Sequence, residues 1–279
     1  MLYFNNCDIQ VNGTGLMAQN AHLASSNSLR SIKPIGRSKG LETSPEGPVT
    51  NNFSATYWIN IDKDPCYQEV LKLKDLFVSK SEFDLAQPQV IEVAGLSGAF
   101  YMNSYSISIK SNAAIQARVS YKGFEEMSGN VSPRDEVLEY VDSFSGLAHS
   151  WTTFIESDAG SLDIPILEFD YNFASRMTPV YALGAKTPVQ VLFTNFEETI
   201  KMQKDIERQI KFYGESGCAL FDSCANDPKV KIFKLGYLCD DSLTDAMEFG
   251  VSGYRINSNS ITVDTNDFVK SEFTITKTS

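Results

Sequence analysis

Apolar and polar residues alternate along two stretches of the chain that match each other, residues 100–121 and 254–275. At a constant offset of 154, the difference between 257 and 103, five residues are identical: Asn103, Ser104, Ser106, Ile107 and Asn112 in the first copy, and Asn257, Ser258, Ser260, Ile261 and Asn266 in the second. Alternation with period two is typical of a half-buried strand, and each copy turns at a Ser/Thr-Asn pair into a second alternating segment. The sequence therefore predicts one β-hairpin used twice, in two tandem modules.

The same patterning predicts the elements around the hairpins. Residues 53–61 alternate strictly and indicate a strand, as do residues 199–206 and 230–238, and the second module brings a run of Ile, Leu and Phe at 162–173. Asp64 is placed to cap a helix that starts at Pro65, and the apolar residues that follow recur at helical spacing. Residues 7–11 predict a short strand, and the small polar residues 12–31 predict a loosely structured arm. Shorter helices are predicted at residues 133–140 and 206–213.

The repeat predicts the domain boundaries. We expect a first module at residues 1–124, a linker at 125–150 and a second module at 151–279, each module with its own core. Thr194-Asn195-Phe196 matches Asn51-Asn52-Phe53 at a smaller offset of 143, the difference between 196 and 53. This predicts an insertion in the second module, most simply at residues 214–227.

Composition narrows the possible partners and compartment. The 279 residues carry a formal charge of −11, which argues against tight binding of nucleic acid through phosphate neutralisation. No apolar run approaches the roughly 18 residues of a membrane span, so we expect no membrane anchor. The N-terminus has no basic and apolar signal pattern, and the five cysteines are odd in number. Both features predict folding in a cytoplasm with reduced thiols.

The sequence offers little chemistry. His22 and His149 are the only histidines, and both lie in a predicted arm or linker. Cys218 and Cys224 are six residues apart without a nearby histidine, which is poor spacing for zinc. The glycines after Asn12 lack the third glycine and the helix of a dinucleotide site. We therefore predict no catalytic residue, no cofactor and no metal.

The elements together resemble a known family. The second module, residues 181–276, ends in a hairpin that reads Asn-Ser-x-Ser-Ile-Thr-Val-x-Thr-Asn-Asp from Asn257 to Asp267. With the preceding Asn-Phe-led strand, it resembles the tube fold of tailed-bacteriophage tail proteins. The first module, residues 35–121, is similar, with a longer loop at 37–49 and Asn112-Ala113 at the closing turn.

The resemblance implies a mainly β fold, a β-sandwich or barrel with a flanking helix in each of two tandem tail-tube-like modules. It implies edge strands that pair with neighbouring copies, rings that stack into a hollow tail tube, and genomic DNA that passes through without tight binding. The location would be the virion tail, assembled in the bacterial host cytoplasm, with other tail, neck or baseplate proteins as partners. Tail terminators and baseplate tube initiators share the fold. A two-domain carbohydrate-binding or adhesive β protein is the competing class.

Specific residues carry these expectations. We predict an inter-ring loop that includes Arg37, Glu42, Pro45, Glu46 and Pro48. The ten repeated hairpin residues named above would pair between subunits. If a ring needs six modules, three chains close it with approximate six-fold symmetry; the alternative is six chains. The acidic charge predicts a lumen lined by carboxylates and hydroxyls.

Overall fold

The computed structural model of the chain describes residues 9–16, 18–27, 30–31, 43–44, 48–59, 64–79, 87–110, 113, 115–131, 151–157, 160–163, 166–205, 229–235, 243–250, 255–262 and 270–278. Most of the described residues lie in strands, so the predicted mainly β class is confirmed.

The described residues form 18 strands and one helix. The helix is α1 (Pro65–Ser79). The strands, in chain order, are β1 (Ile9–Val11), β2 (Thr14–Gly15), β3 (Ala18–Asn27), β4 (Arg30–Ser31), β5 (Thr43–Ser44), β6 (Val49–Trp58), β7 (Gln89–Val93), β8 (Leu96–Lys110), β9 (Gln116–Gly123), β10 (Ser128–Gly129), β11 (Trp151–Ser157), β12 (Gly160–Asp163), β13 (Ile166–Val180), β14 (Gln190–Asp205), β15 (Lys229–Leu235), β16 (Leu243–Gly250), β17 (Arg255–Thr262) and β18 (Lys270–Thr278).

Eight strands form one continuous antiparallel ladder. Its order is β3-β6-β9-β8-β13-β14-β18-β17. The first four strands come from the first half of the chain and the last four from the second half. The two halves therefore join edge to edge within a single sheet, through β8 and β13.

The two four-stranded units are copies of each other down to their irregularities. In the first hairpin Ser104 pairs with Ser120, and in the second Ser258 pairs with Thr274; every other shared pair also matches at the offset of 154. Both hairpins shift register at the same place, the bulges at Asn103 and Asn257. A bulge adds one unpaired residue to a strand, so its recurrence fixes the alignment of the copies. The predicted repeat of the hairpin is confirmed.

The outer strand pairs repeat as well, at different offsets. Ala18 pairs with Tyr57 and Asn20 with Thr56, around a shift at Gln19. Ile166 pairs with Lys204 and Glu168 with Gln203, around the equivalent shift at Leu167. Strand β13 is therefore the counterpart of β3 at an offset of 148, the difference between 168 and 20, and β14 is the counterpart of β6.

One sequence alignment between the halves was wrong. Phe53 pairs with Tyr121, and Ile200 pairs with Ile275. Because Tyr121 and Ile275 are equivalent, the counterpart of Phe53 is Ile200, at an offset of 147, the difference between 200 and 53. The matching Asn-Phe dipeptide at Phe196 lies four residues away, since backbone register rather than dipeptide identity decides which residues correspond.

The predicted arm at residues 12–31 was also wrong in part. Strand β3, ten residues long, occupies its centre and pairs with β6 along its length. Most of its side chains are exposed or half-buried, so the sequence carries no apolar alternation that would reveal it. The pairing with β6 makes it a strand.

Tight turns build a smaller group of strands beside the ladder. Strands β1, β2, β7 and β10 extend the sheet from the first part of β8. Asn12 and Gly13 connect β1 and β2 with φ of 50° and 77°, and Ala94 and Gly95 connect β7 and β8 with φ of 51° and 83°. Positive φ at both central residues is the geometry of a two-residue hairpin turn, for which Asn-Gly is a preferred sequence.

Helix α1 begins as predicted. The backbone N–H groups of Cys66 and Tyr67 donate to Asp64 Oδ1 at 2.9 and 3.2 Å, which is an N-cap. Cys66, Val70 and Leu73 are buried, so the helix presents its apolar side to the sheet.

The core is shared by both halves. The buried residues of the described chain form one cluster that extends from β6 and α1 through β8 and β9 to β13 and β14. Tyr105 of β8 meets Tyr171 of β13 edge to face at 6.4 Å between ring centroids, and Phe173 stacks on Phe196 at 6.0 Å. The first of these ring contacts crosses the join between the two units, whereas the second lies within the second unit.

The remaining described strands form two smaller sheets. One has the order β12-β11-β15-β16, and the other pairs β4 with β5. Strand β15 confirms the strand predicted at residues 230–238. The helices predicted at 133–140 and 206–213, and the insertion predicted at 214–227, lie outside the described residues.

Candidate assembly edges and polar face

The junction of β8 and β13 shows how two copies of the four-stranded unit attach. The register runs from Glu168 opposite Lys110 to Ala174 opposite Ser104. At one end Lys110 Nζ lies 2.6 Å from Glu168 Oε1, and this hydrogen bond raises the pKa of Lys110. At the other end Ser175 Oγ donates to the carbonyl of Met102 at 2.6 Å, which satisfies the backbone beside the bulge. The chain thus contains one complete example of unit-to-unit pairing.

The ends of the eight-stranded ladder are the edges of β3 and β17. Among the described residues, β3 pairs only with β6, and β17 pairs only with β18. An edge strand with unpaired backbone groups can bind another chain. By the internal repeat, the β3 edge corresponds to the β13 edge at the junction, and the β17 edge corresponds to that of β8. The two end strands of the ladder are therefore equivalent to the two strands that meet at the internal junction.

The residues predicted to pair between subunits fall into two groups, those of the first hairpin and those of the second. Ser104, Ser106 and Ile107 lie on β8, which pairs with β9 on one side and β13 on the other. For them the prediction of pairing with a neighbouring subunit is corrected: their partner strand belongs to the same chain. Asn103 is the bulge residue beside this junction.

The second hairpin keeps a free edge in the described structure. Asn257, Ser258, Ser260 and Ile261 lie on β17, at the end of the ladder. Asn112 and Asn266, at the two closing turns, lie outside the described residues. The opposite edge, β3, is not predictable from its own residues, because only its structural equivalence to β13 identifies it.

Helix α1 supports the junction from the core side. Lys74 Nζ lies 2.9 Å from Glu198 Oε1, with side chains 14% and 0% exposed. Tyr171 Oη donates to the same carboxylate oxygen at 2.5 Å. A helix from the first half is therefore bound to β14 of the second half by a buried ion pair, which is costly to leave half-made.

A second buried carboxylate anchors the start of α1. Asp64 accepts hydrogen bonds from Tyr57 Oη at 2.9 Å to each carboxylate oxygen and from Tyr105 Oη at 3.0 Å. Burial raises the pKa of the Asp64 carboxyl, although these hydrogen bonds oppose the change. Burial also raises the pKa of the Cys66 thiol, which receives a hydrogen bond from Tyr121 Oη. A protonated, buried thiol is a poor nucleophile, so this cluster is suited to stability rather than to catalysis.

The face of the ladder opposite the core is polar. In the first unit this face has a shallow depression of about 440 Å³ between β3, β6, β8 and β9, lined mainly by hydroxyl and amide groups around Arg118: Asn20, Ser54, Thr56, Ser104, Ser106 and Ser120. The described charged side chains on this face are nearly balanced, five basic and four acidic: Lys110, Arg118, Lys122, Arg176, Lys201, Glu168, Asp170, Glu197 and Glu272. The net charge of −11 is therefore not concentrated here.

The predicted inter-ring loop is only partly described. Arg37, Glu42, Pro45 and Glu46 lie outside the described residues, and Pro48 is exposed just before β6. Thr43 and Ser44 form β5, paired with β4. In the chain, this loop lies between β4 and β6.

The described residues contain no group of three or more histidine, cysteine, aspartate or glutamate side chains placed to hold a metal ion. No described helix is long and apolar enough to cross a membrane. His22 is exposed on β3, whereas Cys218, Cys224 and His149 lie outside the described residues.

Comparison of the chain with protein-family models and with curated proteins returned no match.

Proposed function

We propose that this protein is a structural component of a bacteriophage tail, and that its copies form closed rings that stack into a hollow tube for DNA. The observation that carries the proposal is the ladder of two equivalent four-stranded units joined edge to edge. The two ends of this ladder are equivalent to the two edges that meet at the internal junction. A unit that pairs with a copy of itself inside one chain can continue the pattern between chains. Closure into a ring removes the exposed edges that would otherwise promote aggregation.

The dimensions favour three chains in a ring. One eight-stranded chain closed on itself would leave room only for side chains, because barrels of about eight strands have filled interiors. Three chains supply three times as many strands. At about 4.8 Å between strands and the usual tilt, such a barrel is roughly 35–50 Å across between backbones. After subtraction of side chains, the opening exceeds the roughly 20 Å width of duplex DNA, whose grooves are about 8 Å deep.

The polar face of the ladder suits the lumen of this tube. Hydroxyl and amide groups line its depression, and its described charged side chains are nearly balanced, five basic and four acidic. Such a lining offers no dense cationic surface for counterion release, so DNA moves past without being held. The lining is thus less acidic than the sequence predicted, but it has the same consequence for DNA.

The loop that includes Arg37, Glu42, Pro45, Glu46 and Pro48 is proposed as the contact between successive rings. Two prolines limit its conformations, so docking costs less entropy than for a Gly-Ser loop. Deletion of residues 41–47 should leave folded protein that makes rings but no long tubes. Tubes of normal length from that variant would contradict this role.

The remaining parts of the proposal follow from the resemblance of the sequence to tail tube proteins. The protein would assemble in the bacterial host cytoplasm and reside in the virion tail. Its partners would be its own copies and other tail, neck or baseplate proteins. Roles as tail terminator or baseplate tube initiator use the same ring.

Electron microscopy of the purified protein tests the proposal directly. We expect rings or tubes with three chains per ring and approximate six-fold symmetry. Monomers at every concentration tested would overturn the proposed function. Rings that contain six complete chains would keep the function and refute the three-chain arrangement.

A further inference from the structure

We infer that β3 of one chain pairs with β17 of the next chain in the register set by the internal β8–β13 junction, which places Leu23 opposite Ile261. This inference rests on the proposed function and adds to it the contact surface and the residue pairs. It follows from the structural repeat rather than from the sequence resemblance.

The register comes from two alignments fixed by bulges. The bulges at Asn103 and Asn257 align β8 with β17 at an offset of 154. The shifts at Gln19 and Leu167 align β3 with β13 at an offset of 148. Applying both offsets to the observed β8–β13 pairs gives five pairs between chains: His22–Thr262, Leu23–Ile261, Ala24–Ser260, Ser25–Asn259 and Ser26–Ser258.

Strand direction permits this pairing. The eight strands of the ladder are antiparallel to their neighbours throughout, and β3 and β17 are its first and last members. In an even-numbered antiparallel ladder the two end strands run in opposite directions. When two copies are placed head to tail, β17 and β3 are therefore antiparallel, as β8 and β13 are.

The side chains of β3 match the demands of the register. Leu23 packs against the core, like its counterpart Tyr171, which lies opposite Ile107 at the internal junction. The inferred partner Ile261 is the counterpart of Ile107. A slip of one residue would place His22 or Ala24 opposite this isoleucine and reverse the faces of the whole strand, which a sheet with one buried face does not tolerate.

The contact beside the bulge also has an equivalent between chains. At the internal junction Ser175 Oγ donates to the Met102 carbonyl at 2.6 Å. The counterparts of these residues are Asn27 and Ile256. The asparagine amide is a donor, so the residue at position 27 can satisfy the same carbonyl beside the second bulge.

Disulfide formation between two singly substituted proteins tests the register. Leu23→Cys protein and Ile261→Cys protein are mixed before assembly and then oxidised. Residues directly opposite in antiparallel strands have Cα atoms about 4.5–5.5 Å apart, within the roughly 4.4–6.8 Å that a disulfide spans. We expect a covalent dimer in the mixture and none, beyond the level of the oxidised natural protein, in either variant alone.

The matched control is out of register by two residues on the same face of β17. Leu23→Cys mixed with Asn259→Cys should give far less dimer, because diagonal neighbours are about 7–8 Å apart. If assembled rings link Leu23→Cys to Asn259→Cys in preference to Ile261→Cys, the register is overturned while the ring function stands.

A doubly substituted chain separates pairing between chains from closure within one chain. Leu23→Cys/Ile261→Cys protein should give linked multimers up to the ring. If it instead gives only internally linked monomers, and the mixed single variants give no dimer, then the ladder closes on itself. That result would overturn both this inference and the proposed function.

Discussion

Replacement of Asp64 by alanine should destabilise the fold, because this carboxylate accepts hydrogen bonds from the N-terminus of α1, from Tyr57 and from Tyr105. The loss of an N-cap costs about 1 kcal/mol, and each buried hydroxyl left without a partner costs about 1–3 kcal/mol. Tyr57 and Tyr105 both donate to this carboxylate, which is 2% exposed, so no water replaces it readily. The expected loss is about 3–7 kcal/mol of unfolding free energy, from the cap and the two hydroxyls together.

Urea denaturation followed by tyrosine and tryptophan fluorescence measures this loss, at equal concentrations of wild-type and variant protein. The decisive comparison is the same substitution in a Tyr57→Phe/Tyr105→Phe background, where no hydroxyl is left unpaired. There Asp64→Ala should cost only the cap, about 1 kcal/mol. This double-mutant cycle isolates the coupling between Asp64 and the two tyrosines. An equal loss of unfolding free energy in both backgrounds would refute the assignment of the cost to the tyrosines.

The same carboxylate predicts a dependence on pH. Burial raises the folded pKa of Asp64 above its ordinary value of 3.8. The stability it contributes is therefore complete below pH 3.8 and is lost as pH rises through the higher folded pKa. The residue in Asp64→Asn cannot titrate. As the pH rises through the folded pKa of Asp64, the unfolding free energy of wild type should therefore fall relative to that of this variant. A difference that is constant with pH would show that the folded and unfolded pKa values are equal.

Three further predictions concern the junction, a turn and the lumen. Lys74→Met should cost about 3 kcal/mol by leaving Glu198 buried without its cation, and adding Glu198→Gln should restore much of that loss in the same urea titration. Gly129→Ala should destabilise more than Gly184→Ala: both glycines have positive φ, but a Cβ at Gly129 would lie 2.2 Å from a backbone oxygen, whereas none is near at Gly184. Equal thermal shifts for the two alanine variants would contradict this. Finally, the purified protein should not retard duplex DNA in gels at physiological salt, and salt-dependent retardation would argue against a non-binding lumen.

Local chemistry made several elements predictable. Strand β6 and the first hairpin alternate with period two because one face of each packs on the core, and α1 carries its cap and apolar spacing within a few residues. The hairpin repeat was visible because four residues of β8 recur in β17 and a fifth, Asn112, recurs after it as Asn266.

What the sequence by itself determined is thus the mainly β class, the helix at Asp64 and the duplication of one hairpin, since each depends on residues close together in the chain. Tertiary structure alone decided the rest. Strands β3 and β13 share no identical residue at their structural offset, so only pairing with β6 and β14 reveals them as counterparts. The join of β8 to β13 and the two free edges likewise depend on contacts between residues far apart in the chain, where backbone hydrogen bonds form without regard to side-chain identity.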